Sequence, residues 1–227
     1  MADIALRAEL MRSLGRLVRG LSALFWGLPI TLITCVYVAT NEWVKPLHMF
    51  APIAATGLLY YGLSQLGSFQ KQERIWRESL ERAKLIAFVN VGLSPFIYWY
   101  NRLPTLSFYE LALFFLMLMG LIFLFTLNHV LQRLAAMLPD ETLRLETRVF
   151  GNLNITLLTA ILLLFVVFYI LVQIPMLPDF LVRAVHFFQA IRYWLLIFLI
   201  LLPLAMTMTL IWKIKEVIFA SVFSHES

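Results

Sequence analysis

Six stretches of this sequence contain no Asp, Glu, Lys or Arg: 20–41, 46–70, 85–101, 111–132, 149–178 and 193–212. Crossing about 30 Å of hydrocarbon as a helix takes roughly 20 apolar residues. Five of the windows meet that length. The third, 85–101, is the shortest and carries Pro95. None alternates polar and apolar residues over about 10 positions, as a membrane β-strand does. The pattern predicts an all-α, polytopic membrane protein with six transmembrane helices arranged as three hairpins.

Composition agrees with that reading. The chain is 62% hydrophobic and 14% charged, against roughly 45–50% and about 25% in ordinary soluble domains. Six spans account for most of 227 residues, which leaves little room for a soluble domain. The expected organisation is an amphipathic interfacial helix over 1–19, a six-span bundle over 20–214 and a cytoplasmic tail over 215–227.

The net charge of +5 would suggest nucleic acid in a soluble protein. Here the cations fall between apolar windows, so anionic headgroups and membrane orientation account for them and nucleic acid is not expected. Fourteen of the 18 basic residues sit in alternate connections. They are Arg7, Arg12, Arg16 and Arg19; Lys71, Arg74, Arg77, Arg82 and Lys84; Arg133, Arg144 and Arg148; and Lys213 and Lys215. Lys45, Arg102, Arg183 and Arg192 are left for the other side. The positive-inside rule then predicts both termini in the cytoplasm, with a bacterial cytoplasmic membrane as the expected location. Trp26, Trp43, Trp76, Trp99, Trp194 and Trp212 all fall near window ends, where amphipathic rings favour headgroups.

Three segments outside the windows read as helices. In residues 1–19, Leu6, Leu10, Leu14 and Leu17 recur at helical spacing with arginines on other faces. That suits a helix lying on anionic headgroups of the inner leaflet and not a signal peptide. KQERIWRESLERAK (71–84) has a thin stripe of Ile75, Trp76 and Leu80 and is expected to project as a polar extension. PDETLRLETRVFG (139–151) has start signals in Pro139-Asp140-Glu141 and a stop signal in Gly151.

Chemistry is harder to find. No His129, His48, His186 or His225 has a second His or Cys at i+3 or i+4, so no metal site is expected. No phosphate loop or nucleophile motif occurs, and no carboxylate lies inside a window. No catalytic residue and no cofactor is therefore assigned. The single cysteine, Cys35, lies mid-window and reads as a small hydrophobe. Neutral polar residues are the remaining candidates: Asn90, Asn128, His129, Asn152, Asn154 and Gln173. They can bond across helices, or line a path for a solute. Asn128 and His129, one turn from Arg133, read as a helix exit at the cytoplasmic interface. The sharper alternative makes His129 a group titrating near neutral pH at the inner mouth. Window 46–70 is rich in small residues, among them Ala55 and Gly62, and small residues let membrane helices approach closely. It is expected to be the most enclosed helix.

The function expected from these features is a non-enzymatic membrane subunit or scaffold. It would work as a homo-oligomer or with other membrane subunits, in contact with membrane lipids. A small channel or transporter with a site at proline-broken helices is the alternative. A membrane-embedded enzyme acting on lipid is the third reading.

Overall fold

The computed structural model describes residues 2–41, 46–70, 72–138, 140–173 and 200–220. The elements are α1 (Ala2–Thr40), a 3-10 turn (Pro46–Met49), α2 (Phe50–Leu66), α3 (Arg74–Leu93), α4 (Phe96–Arg102), α5 (Ser107–Met137) and α6 (Glu141–Gln173). A further helix, α7, covers 200–220. No strand occurs among the described residues. Three helical stretches, Met11–Thr40, Ser107–Met137 and Glu141–Leu164, are long and apolar enough to cross a membrane.

Residue pairing gives the helix directions. Gly20 lies against Gly62 and Gly27 against Leu59, while the Thr31 hydroxyl donates to the Ala55 carbonyl at 3.0 Å. Numbers rise along α1 as they fall along α2, so the two are antiparallel. The same holds for α2 and α3, where Trp76 meets Phe69 and Tyr60 meets Phe88. It holds for α3–α4 against α5, through Asn90 with Met119 and Trp99 with Tyr109. It holds again for α5 with α6, through Gln132–Asn152 and Asn128–Asn154. Glu146–Lys213 and Asn154–Thr207 make α6 and α7 antiparallel. One contact joins the C-terminal ends of α1 and α4: Asn101 Nδ2 donates to the Val38 carbonyl at 2.6 Å and the Asn41 carbonyl at 2.9 Å. The last carbonyls of a helix lack partners within it, and here a neighbouring helix supplies the donor.

The main core lies toward the end of the bundle that carries Arg16, Arg19, Lys84, Arg133, Arg148 and Lys213. It joins Leu17, Leu21 and Leu24 of α1 to Leu63 and Leu66 of α2, Trp76 and Leu80 of α3, Leu127, Leu131 and Leu134 of α5, and Leu210, Ile211 and Ile214 of α7. A small second cluster, Val38, Ile97 and Tyr98, closes the opposite end. Among the described residues, seven of the 17 in α2 are buried, Ala55 and Gly62 among them, a larger share than in any of the three longest apolar stretches.

Several expectations need correction. Residues 1–19 do not form a helix of their own, because α1 runs from Ala2 through Thr40 without a break. Its Leu17 is fully buried and Leu14 and Val18 pack on the same core. Pro29 sits inside α1, where it forgoes only the bond to the Phe25 carbonyl. Residues 72–84, the described part of the segment expected to project, do not project. Trp76, Leu80 and Ala83 are buried, and the Trp76 indole N–H donates to the Phe69 carbonyl at 3.1 Å. Trp76 is thus a core residue and not a headgroup ring. The reason is visible in spacing: 76, 80, 83, 87 and 90 form one stripe that continues into the apolar half of α3. Gly151 does not stop a helix, since α6 continues to Gln173. A Cβ at Gly151 would collide with the Gln132 side chain, so this glycine permits close approach of α5 and α6. Pro95 does mark a division, between α3 and α4.

Candidate functional site

Asn128 of α5, Asn154 of α6 and Thr207 of α7 are each fully buried, and they meet. Each lies on the core face of its helix: Asn128 between Leu124 and Leu131, Asn154 a turn from Leu158, Thr207 between Leu204 and Leu210. The Thr207 hydroxyl donates to the Pro203 carbonyl at 2.8 Å. It accepts from Asn128 Nδ2 and from Asn154 Nδ2, both at 2.9 Å. Asn128 Nδ2 gives its other hydrogen to the Leu124 carbonyl at 2.8 Å. Asn154 Nδ2 also faces Asn128 Oδ1 at 3.0 Å and the Pro203 carbonyl at 3.2 Å.

This geometry fixes the Asn154 amide. Its NH2 group points at three acceptors and has two hydrogens to share among them. Turning the amide over would set oxygen against oxygen. Asn154 Oδ1 is then left buried with no partner. The cluster holds neutral donors and acceptors only. Its one hydroxyl is spent on a backbone carbonyl, and no base stands within it to activate that hydroxyl as a nucleophile. What the arrangement does chemically is tie three helices together.

A second polar contact ties α2, α3 and α5. Asn90 Nδ2 donates to the Met119 carbonyl at 3.2 Å, and Asn90 Oδ1 is buried without a partner. Thr56 and Ser94, both buried, approach at 3.5 Å.

The remaining candidates lie elsewhere. The expectation that Asn128 marks a helix exit is overturned by its complete burial. His129 points away from it, is exposed, and packs edge-on against Phe125 at 4.9 Å. Asn152 is exposed and its Oδ1 accepts from Gln132 Nε2 at 3.3 Å. The Gln173 side chain, like His186 and His225, lies outside the described residues. The sequence reading missed Thr207, whose signal was its position four residues after Pro203. It also missed Gly20, which has the tight contact with Gly62.

The two ends of the bundle differ. At the basic end Lys213 pairs with Glu146 and lies over the Phe150 ring at 5.4 Å. Lys215 lies over Trp212 at 5.8 Å, and Phe25 touches both Trp26 and Trp212. Asp140 caps α6, with its carboxylate accepting from the Thr142 hydroxyl and from the Thr142 and Leu143 amides. The Thr142 hydroxyl and these amides hold the Asp140 carboxyl below its usual range. A notch of about 220 Å3 opens there beside Gly67, Trp76, Arg77, Leu80 and Glu81. At the opposite end Trp99 stacks on Tyr109 at 6.4 Å, and the Arg102 guanidinium lies over Tyr98 at 5.8 Å. Among the described residues no group of His, Cys, Asp and Glu could hold a metal ion.

No family model, curated protein or solved structure matches this chain.

Proposed function

We propose that the chain is a six-span, non-enzymatic membrane subunit that acts as a scaffold within an oligomer or a larger membrane complex. Both termini face the cytoplasm in this reading, in a bacterial cytoplasmic membrane. The observation that carries it is how the donor hydrogens of the buried Asn128–Asn154–Thr207 cluster are spent. Asn128, Asn154 and Thr207 bond to one another and to backbone carbonyls, and they sit in a cluster of buried apolar side chains. A transport path needs polar groups that face a lumen. Groups turned onto neighbouring helices serve association instead.

The geometry agrees with a membrane setting. Tyr109 and Arg133 lie on one helix about 36 Å apart, at ~1.5 Å per residue, a separation that suits an aromatic girdle and a basic rim at the two faces of a bilayer. The antiparallel sequence of helices gathers the cations of alternate connections at one end, as the positive-inside rule requires of cytoplasmic loops.

Purification in mild detergent tests the reading. Wild type and His129→Ala should elute with the same companions, whether copies or other membrane chains. Ala55→Leu/Gly62→Leu should lose them, because Gly62 packs directly on α1 and Ala55 is buried on the same helix. The scaffold reading fails if wild type elutes alone. It also fails if His129→Ala assembles normally but abolishes a solute flux that wild type supports in vesicles.

A further inference from the structure

We infer that the notch beside Gly67 seats the phosphate of an anionic phospholipid, whose acyl chains run down the exposed side of α3. The inference goes beyond the scaffold role and rests only on the reading of this end of the bundle as cytoplasmic, where anionic lipids face it. The notch, of about 220 Å3, lies where the C-terminal end of α2 meets the first turns of α3. Trp76 and Leu80, both buried, floor it. Arg77 and Glu81 stand at its rim. Gly67 gives it room: a Cβ there would stand 3.1 Å from Lys84 Nζ, so the missing side chain lets the ammonium in beside the notch.

The charges around the notch leave one cation over. Glu81 is turned onto Lys84 at 3.0 Å, and Glu78 onto Arg74 at 2.8 Å. Arg77 is exposed and makes no ion pair with any of the described residues. A guanidinium presents a fork of donors that matches two phosphate oxygens, and a basic pocket between helices on the cytoplasmic side suits a lipid headgroup. The surface that follows the notch selects a lipid over a soluble phosphate. Residues 77, 81, 85 and 88 share one helical stripe. Past the charged pair it continues as Leu85 and Phe88, 65% and 63% exposed. Tyr60 of α2, also exposed, packs against Phe88 at 6.1 Å. A charged notch that leads into an exposed apolar stripe has the polarity of an amphiphile, with phosphate at one end and acyl chain at the other.

Native mass spectrometry of the full chain in mild detergent, with phosphatidylglycerol or phosphatidylcholine added, tests this. Wild type should retain phosphatidylglycerol several-fold more than phosphatidylcholine. Arg77→Gln and Gly67→Leu, which fills the notch, should each cut that preference several-fold. Arg82→Gln removes the same charge about 140° around the helix and should leave the preference intact. Equal losses in Arg77→Gln and Arg82→Gln would mean diffuse attraction to a basic end and overturn the inference, as would equal retention of the two lipids by wild type. Displacement of the lipid by soluble glycerol phosphate would assign the notch to a free phosphate and overturn the lipid as its occupant. Arg77→Gln alters an exposed side chain, so an unchanged preference there counts against the inference even where Gly67→Leu disturbs the fold. The binding readout does not depend on which way the chain faces. Labelling of Gln72→Cys, in a Cys35→Ala background, from outside sealed cells would remove the cytoplasmic reading without touching the binding result.

Discussion

The close crossing of α1 and α2 makes a quantitative prediction. A Cβ placed on Gly62 would stand 2.9 Å from Leu24 Cγ and 3.1 Å from the Gly20 carbonyl oxygen. Ordinary contacts for such an atom begin at 3.4 Å, so Gly62→Ala must push α1 and α2 apart by a few tenths of an ångström. Forcing an added carbon into a packed contact costs about 1–3 kcal/mol. The higher helix propensity of alanine returns roughly 0.5–1 kcal/mol of that. Gly57 lies on the same helix with nothing within 4 Å of its Cβ position, so Gly57→Ala keeps the propensity gain and meets no clash. The two substitutions should therefore move stability in opposite directions, by a difference of about 1–3 kcal/mol. Unfolding by SDS in mixed micelles, followed by tryptophan fluorescence, measures this. Gly62→Ala should shift the midpoint to lower SDS, and Gly57→Ala should leave it unchanged or raise it. Equal shifts would refute the assignment of the α1–α2 crossing to Gly20 and Gly62.

Asn154→Ala should destabilise by about 1 kcal/mol, within the range of interhelical hydrogen bonds in membrane proteins; its unpaired Oδ1 keeps the loss modest, and the same SDS titration reads it. Lys213→Ala breaks a half-exposed ion pair with Glu146 and should cost no more than about 1 kcal/mol, less at high salt. The Asp140 cap gives a pH dependence. Its pKa is lowered in the folded chain, first by the Thr142 hydroxyl, so its contribution is present above the ordinary carboxylate pKa and is lost as pH falls through the lowered value. Hydrogen exchange at the Thr142 and Leu143 amides, corrected for intrinsic rate, should speed up in that acid window in wild type and show no such step in Asp140→Asn. Trp76→Phe should remove the bond to the Phe69 carbonyl and, with it, a fluorescence component shielded from aqueous quenchers; an unchanged quenching profile would return Trp76 to the surface.

Helix content and the enclosure of α2 were legible because they depend on composition and local pattern. Charge-free runs without alternation allow only helices, and the glycines and alanines of 46–70 mark close approach whatever their partner is. What the sequence hid was direction around each helix. Asn128 and His129 are adjacent, so they point about 100° apart, and nothing in an apolar-all-round helix says which of the two faces the core. Trp76 was misplaced for the opposite reason. Its neighbours are so polar that the stripe 76–80–83 is masked by Arg77, Glu78, Glu81 and Arg82. Gly151 carries the same residue signal for a helix stop and for a helix contact, and only the partner, Gln132, separates them. Asn154 was identifiable as a polar residue in an apolar run. Its meeting with Thr207 joins positions 53 apart, which no local pattern reports.

Whether the interior is closed or lines a path is the question on which the scaffold account depends, and thiol accessibility at Thr207 answers it. Thr207→Cys is close in size to the native residue and replaces the atom at the centre of the buried cluster. In a Cys35→Ala background, in sealed native membranes, a small charged methanethiosulfonate reagent is applied from either side. The account predicts no reaction until the chain is unfolded in SDS, because Thr207 is fully buried among α5, α6 and α7. Rapid modification from either side of the folded protein would contradict it and show water at the heart of the bundle.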